Sequence, residues 1–185
     1  MRRRRPARGD GFTLVELVVV VVIAAVLGAL AAVRYADQPA IDAAAWAAQT
    51  RTLLRYAQQH AIAQNRAVFV VVDSGRIALC YNYQAEPACS GANRVAAPAG
   101  SNSGAAVTLA ACGDAAWLCE GAPAGMVLAL SPQVHHFYFD ALGRPCAGAD
   151  PAGAAHSTFA TTTLTIRGDG GRHDIVVTEE TGYVY

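Results

Sequence analysis

Lysine is absent from the 185 residues; all 14 basic residues are arginine. Charge of either sign is scarce, at 15% of residues, against about 25% in an average soluble domain. So low a value excludes a disordered polyelectrolyte. No Cys-x-x-Cys occurs among the five cysteines, which argues against a redox centre or a zinc ribbon. There is no phosphate-binding glycine loop. Serine, histidine and aspartate occur without a motif that frames a nucleophile. No enzyme, cofactor or metal site is therefore expected. The 54% hydrophobic content overstates the core, because 40 of those residues are alanine.

The 14 basic and 14 acidic residues cancel, but the zero hides a polarity. Residues 1–11 carry a balance of +4 and residues 12–185 a balance of −4. Between them lies an apolar run, Phe12 to Val33, in which only Thr13 and Glu16 are polar. As a helix it would span about 33 Å, enough for a hydrocarbon core of about 30 Å. Its many valines would weaken a helix in water, whereas in lipid an isolated span must bond to itself as a helix. Arg2, Arg3, Arg4, Arg5 and Arg8 would hold the N-terminus in the cytoplasm and leave the remainder outside.

A secretory signal peptide, cut near Ala29-Leu30-Ala31, is one reading of this start. The run is long for that and contains Glu16, an acid that is costly in an apolar segment unless paired. A plain signal anchor on a periplasmic protein of another function is a second reading. The string Gly11-Phe12-Thr13-Leu14-Val15-Glu16-Leu17 resembles the type IV prepilin signature, which is the third. That resemblance implies cleavage by prepilin peptidase between Gly11 and Phe12, and N-methylation of the new Phe12 amine. It also implies that the helix is kept, and that Glu16 pairs with the N-terminal amine of a neighbouring subunit. Such a pair is reasonable physically, since each charge offsets the desolvation of the other. One departure is Val33, which stands where many pilins place a proline before an Arg-Tyr pair, here Arg34-Tyr35. With Pro39 the first proline of the helical region, a kink is expected near Asp37–Pro39.

Helical character continues from Ile41 to Gln64, with Trp46, Leu53, Leu54, Ala57 and Ala61 on one broad face and Asp42, Gln49, Arg51, Arg55 and Gln58 largely elsewhere. One long helix is expected, its first half in the membrane and its second half on a sheet. The period then changes to that of strands. Ala67–Asp73 and Arg76–Tyr83 read as a hairpin across Asp73-Ser74-Gly75, with Ile77, Leu79 and Tyr81 on one face. Residues 84–125 read as a long irregular excursion with one short strand near Ala106–Ala110. Strands are expected at Met126–Leu130 and Val134–Asp140, then a hairpin of Thr158–Arg167 with His173–Thr178, and a final short strand at Gly182–Tyr185. The whole is α+β: a long N-terminal helix packed on an antiparallel β-sandwich-like globular domain. The expected division is a leader at 1–11, a transmembrane helix half at 12–34, an amphipathic half at 35–65 and a globular domain at 66–185.

Residues 54–66 (LRYAQQHAIAQNR), Phe139–Pro145 (FDALGRP) and Ile175–Val177 before Gly182 give a narrower resemblance. They are similar to the minor pilin group that includes general secretion pathway protein H, the FimT proteins and the MSHA pilus protein MshC. The likeness covers the first 80 residues well and the last 60 loosely. It implies a minor pilin or pseudopilin that joins, and initiates or tips, a type IV pilus or type II secretion pseudopilus. Its implied partners are other pilin or pseudopilin subunits, prepilin peptidase and the inner membrane, with the globular domain periplasmic. Some FimT-like proteins bind DNA through a basic C-terminal stretch. Here that stretch is Glu179–Tyr185, acidic and without arginine, so nucleic acid is disfavoured as a partner.

In a periplasmic domain disulfides are allowed. Cys112 and Cys119, bracketing a short loop around Trp117, are the first choice for a bridge. Cys80–Cys89 is the second, and Cys146 is left over. His135 and His136 are adjacent in a strand, so they point to opposite faces and cannot chelate one metal. Arg167-Gly168-Asp169 reads as hairpin-turn chemistry.

Overall fold

The structure is a computed structural model that describes residues 13–36, 38–83 and 89–185. The leader at 1–11, Phe12 and Asp37, the first residue of the expected kink, lie outside the described residues. The chain divides into two compact units, Met1–Gln38 and Pro39–Tyr185.

In the first unit, helix α1 runs over Leu14–Ala36. Thr13 starts it: the Glu16 amide donates to Thr13 Oγ1 at 3.2 Å, so a threonine hydroxyl satisfies one of the orphan amides of the first turn. Within α1, Leu14–Ala31 is long and apolar enough to cross a membrane, and none of it is buried.

All but the first residue of helix α2, Gln38–Gln64, belongs to the second unit. Pro39 sits in its first turn, where a missing amide costs nothing. Its buried residues are Ala43, Trp46, Ala47, Thr50, Leu53, Leu54, Ala57 and Ala61, which recur at three- and four-residue steps and form one face. The helix ends where Asn65 turns to φ 49°. There the amides of Asn65 and Arg66 donate to the carbonyls of Ile62 and Ala61, a Schellman closure.

The strands are β1 (Val68–Asp73), β2 (Arg76–Cys80), β3 (Cys119–Gly121), β4 (Val127–Ser131), β5 (His136–Phe139), β6 (Pro145–Ala147), β7 (Thr162–Gly168) and β8 (Gly171–Val177). All pairings are antiparallel. A five-stranded sheet has the order β3-β2-β1-β5-β6 and a three-stranded sheet the order β4-β7-β8. Inner residues of both sheets, among them Val70, Ile77, Phe137, Leu164, Ile166 and Ile175, share one core with the buried face of α2. The α+β architecture expected from the sequence is the one the chain adopts. The outer face of the larger sheet has its own small core of Val71, Ala78, Trp117 and four cysteines.

The region between β2 and β3 departs from expectation. Residues Ala106–Cys112 form helix α3, not a strand. Gly113, at φ 68°, closes it with its amide on the Leu109 carbonyl, a left-handed cap that glycine adopts without strain. The sequence there is alanine-rich, which favours a helix. Gly121 in β3 lies so close to α3 that an added Cβ would meet the Val107 carbonyl and Thr108 Cα.

The C-terminal segment is an added edge rather than a full strand. Val184 bridges Val177, and the Val176 and Tyr185 backbones exchange hydrogen bonds. Helix α2 grips this segment: Arg55 Nη2 donates to the Val184 carbonyl at 2.8 Å. Gln58 Nε2 donates to the carbonyls of Thr181 and Gly143, both at 2.8 Å.

Candidate processing and assembly site

Glu16 lies in the first turn of α1 and is exposed. Its backbone is fixed by Thr13, while among the described residues its carboxylate accepts no hydrogen bond. Threonine at the cap and glutamate three residues on have capping-box spacing. A carboxylate in a helix's first turn also complements the positive end of the dipole. Gly11 and Phe12, the two sides of the expected cleavage, lie outside the described residues.

In the globular unit, Cys80 is bridged to Cys89 with Cα atoms 5.4 Å apart, and Cys112 to Cys119 with Cα atoms 6.0 Å apart. Both separations suit the usual disulfide range of about 4.4–6.8 Å. The bridges flank Trp117, whose indole donates to the Leu79 carbonyl at 2.8 Å and whose ring carries the Arg94 guanidinium at 4.4 Å. Cys146 is a free, buried thiol. Burial pushes its pKa up, which keeps it protonated and unreactive.

His135 is exposed in the bend before β5 and His136, the first residue of that strand, is half-buried, so the two are not neighbours within a strand as the sequence suggested. The His136 ring stacks on Tyr83 at 3.8 Å. Burial lowers its pKa; the Gly148 carbonyl pulls the other way, and His135 adds to the lowering. His60, bonded to the Tyr81 hydroxyl at 2.8 Å, is lowered by burial and then by Arg66. Among the described residues no three histidine, cysteine or acidic side chains gather where a metal could sit.

The Phe139–Pro145 segment is a tight turn. Asp140 Oδ1 accepts from the amides of Leu142 and Arg144, and its other oxygen pairs with Arg144 Nη2 at 2.7 Å. Gly143 holds φ 80° there. The second buried acid, Glu120 in β3, was not signalled by sequence. A three-residue strand leaves no periodicity to read, and the partners of Glu120 come from distant segments.

The prokaryotic N-terminal methylation motif matches residues 8–32. This span contains Gly11, Phe12, Glu16 and most of α1, so the N-terminal segment carries the signature of prepilin-like proteins. Comparison with curated proteins returns no match. Among solved structures the chain is similar to the type IV minor pilin FimU of Pseudomonas aeruginosa strain PAO1. One crystal form of FimU has 15% identity and a TM-score of 0.43 over 75% of this chain and 83% of that one. A second crystal form has a TM-score of 0.44 and covers 87% of FimU. The chain is also similar to the minor pseudopilin EpsH from the Type 2 Secretion System of Vibrio cholerae, with 12% identity, a TM-score of 0.46, and 78% and 94% of the two chains covered. An apolar N-terminal helix behind such a motif is consistent with a single-pass membrane anchor.

Proposed function

We propose that this chain is a minor pilin or pseudopilin subunit. It is made with residues 1–11 as a leader, and its arginines keep the N-terminus in the cytoplasm while the globular unit enters the periplasm. Prepilin peptidase cuts between Gly11 and Phe12 and the new Phe12 amine is methylated. The retained helix α1 anchors the subunit in the inner membrane until it joins other pilin or pseudopilin subunits in a type IV pilus or type II secretion pseudopilus. Its place there is at initiation or at the tip. Glu16 pairs with the N-terminal amine of a neighbouring subunit, which sets register among apolar helices because an unpaired carboxylate is costly there.

The observation that carries this reading is the motif match over residues 8–32, joined to an α1 with no part of Leu14–Ala31 buried. The test is expression of the full chain with and without a prepilin peptidase, followed by N-terminal sequencing. The expected mature start is methylated Phe12, and only with the peptidase. A start at Ala32 or Val33, or an intact Met1 in both cases, overturns the proposal.

A further inference from the structure

We propose that a groove between α2 and the segment from Pro98 to Glu120 seats an arginine side chain of a partner protein. The groove has a volume of about 260 Å³. Leu53 and Tyr56 of α2 form one wall, Pro98 and Leu118 the other, Gln49 and Thr52 lie on the α2 side, and Glu120 lines it as well.

Glu120 pairs with Ile77 in register, so its side chain lies on the same face of the sheet as Ile77, the face packed in the main core. It is 5% exposed. Its Oε1 accepts from the Ser103 amide at 2.9 Å and its Oε2 from the Thr108 hydroxyl at 3.1 Å. Both donors are neutral. A carboxylate offers about four acceptor positions, so two remain. Among the described residues no arginine or histidine is within ion-pair reach of it. Asp140, the other buried acid among them, has Arg144. A carboxylate taken out of water without a cation is costly, and here it borders an open apolar groove.

The shape and charge select the occupant. An arginine lays its methylene stem along apolar surface and keeps the charged head at a polar end. Its fork matches the free positions on a carboxylate, its weak hydration suits burial, and its plane can stack on an aromatic ring; Tyr56, one face of which stacks on His60 at 5.2 Å, lines the groove. The balance of −4 over residues 12–185 favours the approach of a basic partner.

The test uses the isotope-labelled full chain in detergent micelles, titrated with n-propylguanidinium and followed by amide shifts in two-dimensional NMR. Saturable shifts are expected at Leu53, Leu118 and Glu120. The Glu120→Gln variant keeps an oxygen for the Ser103 amide and should bind at least about fivefold more weakly, the scale of one charged hydrogen bond. Thr52→Trp, at an exposed position beside the groove, should block binding without touching Glu120. Equal shifts from neutral n-propylurea, equal shifts from n-butylammonium, unaltered binding by both variants, or no shifts at all would overturn the proposal.

Discussion

Helices α1 and α2 follow one another in the chain, and the contrast between them separates two physical tasks. Over Leu14–Ala31, α1 is apolar all round apart from Glu16 and wholly unburied. Helix α2 is mixed in character and buries one face, Ala43 to Ala61, in the core. A helix that is apolar on every side needs a surrounding that is itself apolar, whereas one with a single apolar face needs only a sheet. The choice of residue follows. Valine, stiff and β-branched, is tolerable where lipid enforces the helix. Alanine, small and strongly helical, lets the α2 backbone come close to its sheets.

If the two tasks are separate, they can be broken separately. The largest expected effect is on assembly. Glu16→Ala should reduce incorporation of the subunit into sheared filaments by more than about a hundredfold, because removing one partner of a desolvated ion pair costs about 3–5 kcal/mol. The thermal midpoint of the globular unit should not move. Leu54→Ala is the mirror experiment: an almost fully buried side chain is truncated on α2. Loss of about 3 kcal/mol is expected by denaturant unfolding, with membrane fractionation unchanged. Either variant moving both readouts would dissolve the contrast.

Smaller effects sharpen it within the second unit. Replacing Cys112 and Cys119 together by serine removes a short loop closure and should cost about 2–3 kcal/mol; in the native, unreduced parent, denaturation should expose one thiol. The smallest effect is that of pH. His60 and His136 have pKa values below the ordinary 6.5. Between those lowered values and 6.5 the unfolded chain binds more protons than the folded one, so stability is complete above pH 6.5 and declines as pH falls through that window. Melting curves from pH 8 to 5 should show this, and His136→Asn should flatten part of it.

The buried face of α2 was legible because eight buried positions repeat over 27 residues. The first hairpin was legible from Asp73-Ser74-Gly75 and its β-branched flanks. Residues 106–112 were not: Val107 and Thr108 suggest a strand, and the signal that decides for α3 is Gly113, whose role appears only once its left-handed φ is known. Strands β3 and β6 have three residues each and carry no alternation to detect. In the candidate site the contrast is sharper still. Gly11, Phe12 and Glu16 are contiguous enough to be read as a motif, whereas the groove beside Glu120 draws its walls from three distant stretches, and no local pattern announces it.

The grip of α2 on the C-terminal segment has a consequence in time. Arg55 waits for a carbonyl 129 positions later, and Gln58 for one 123 positions later. Contacts between such distant residues form slowly, since a long loop must close before they reward it. The first element of the globular unit in chain order is therefore among the last to reach its final hydrogen-bonded state. Until residues 181–184 arrive, Arg55 stays with water and Gln58 has at most its bond to Gly143.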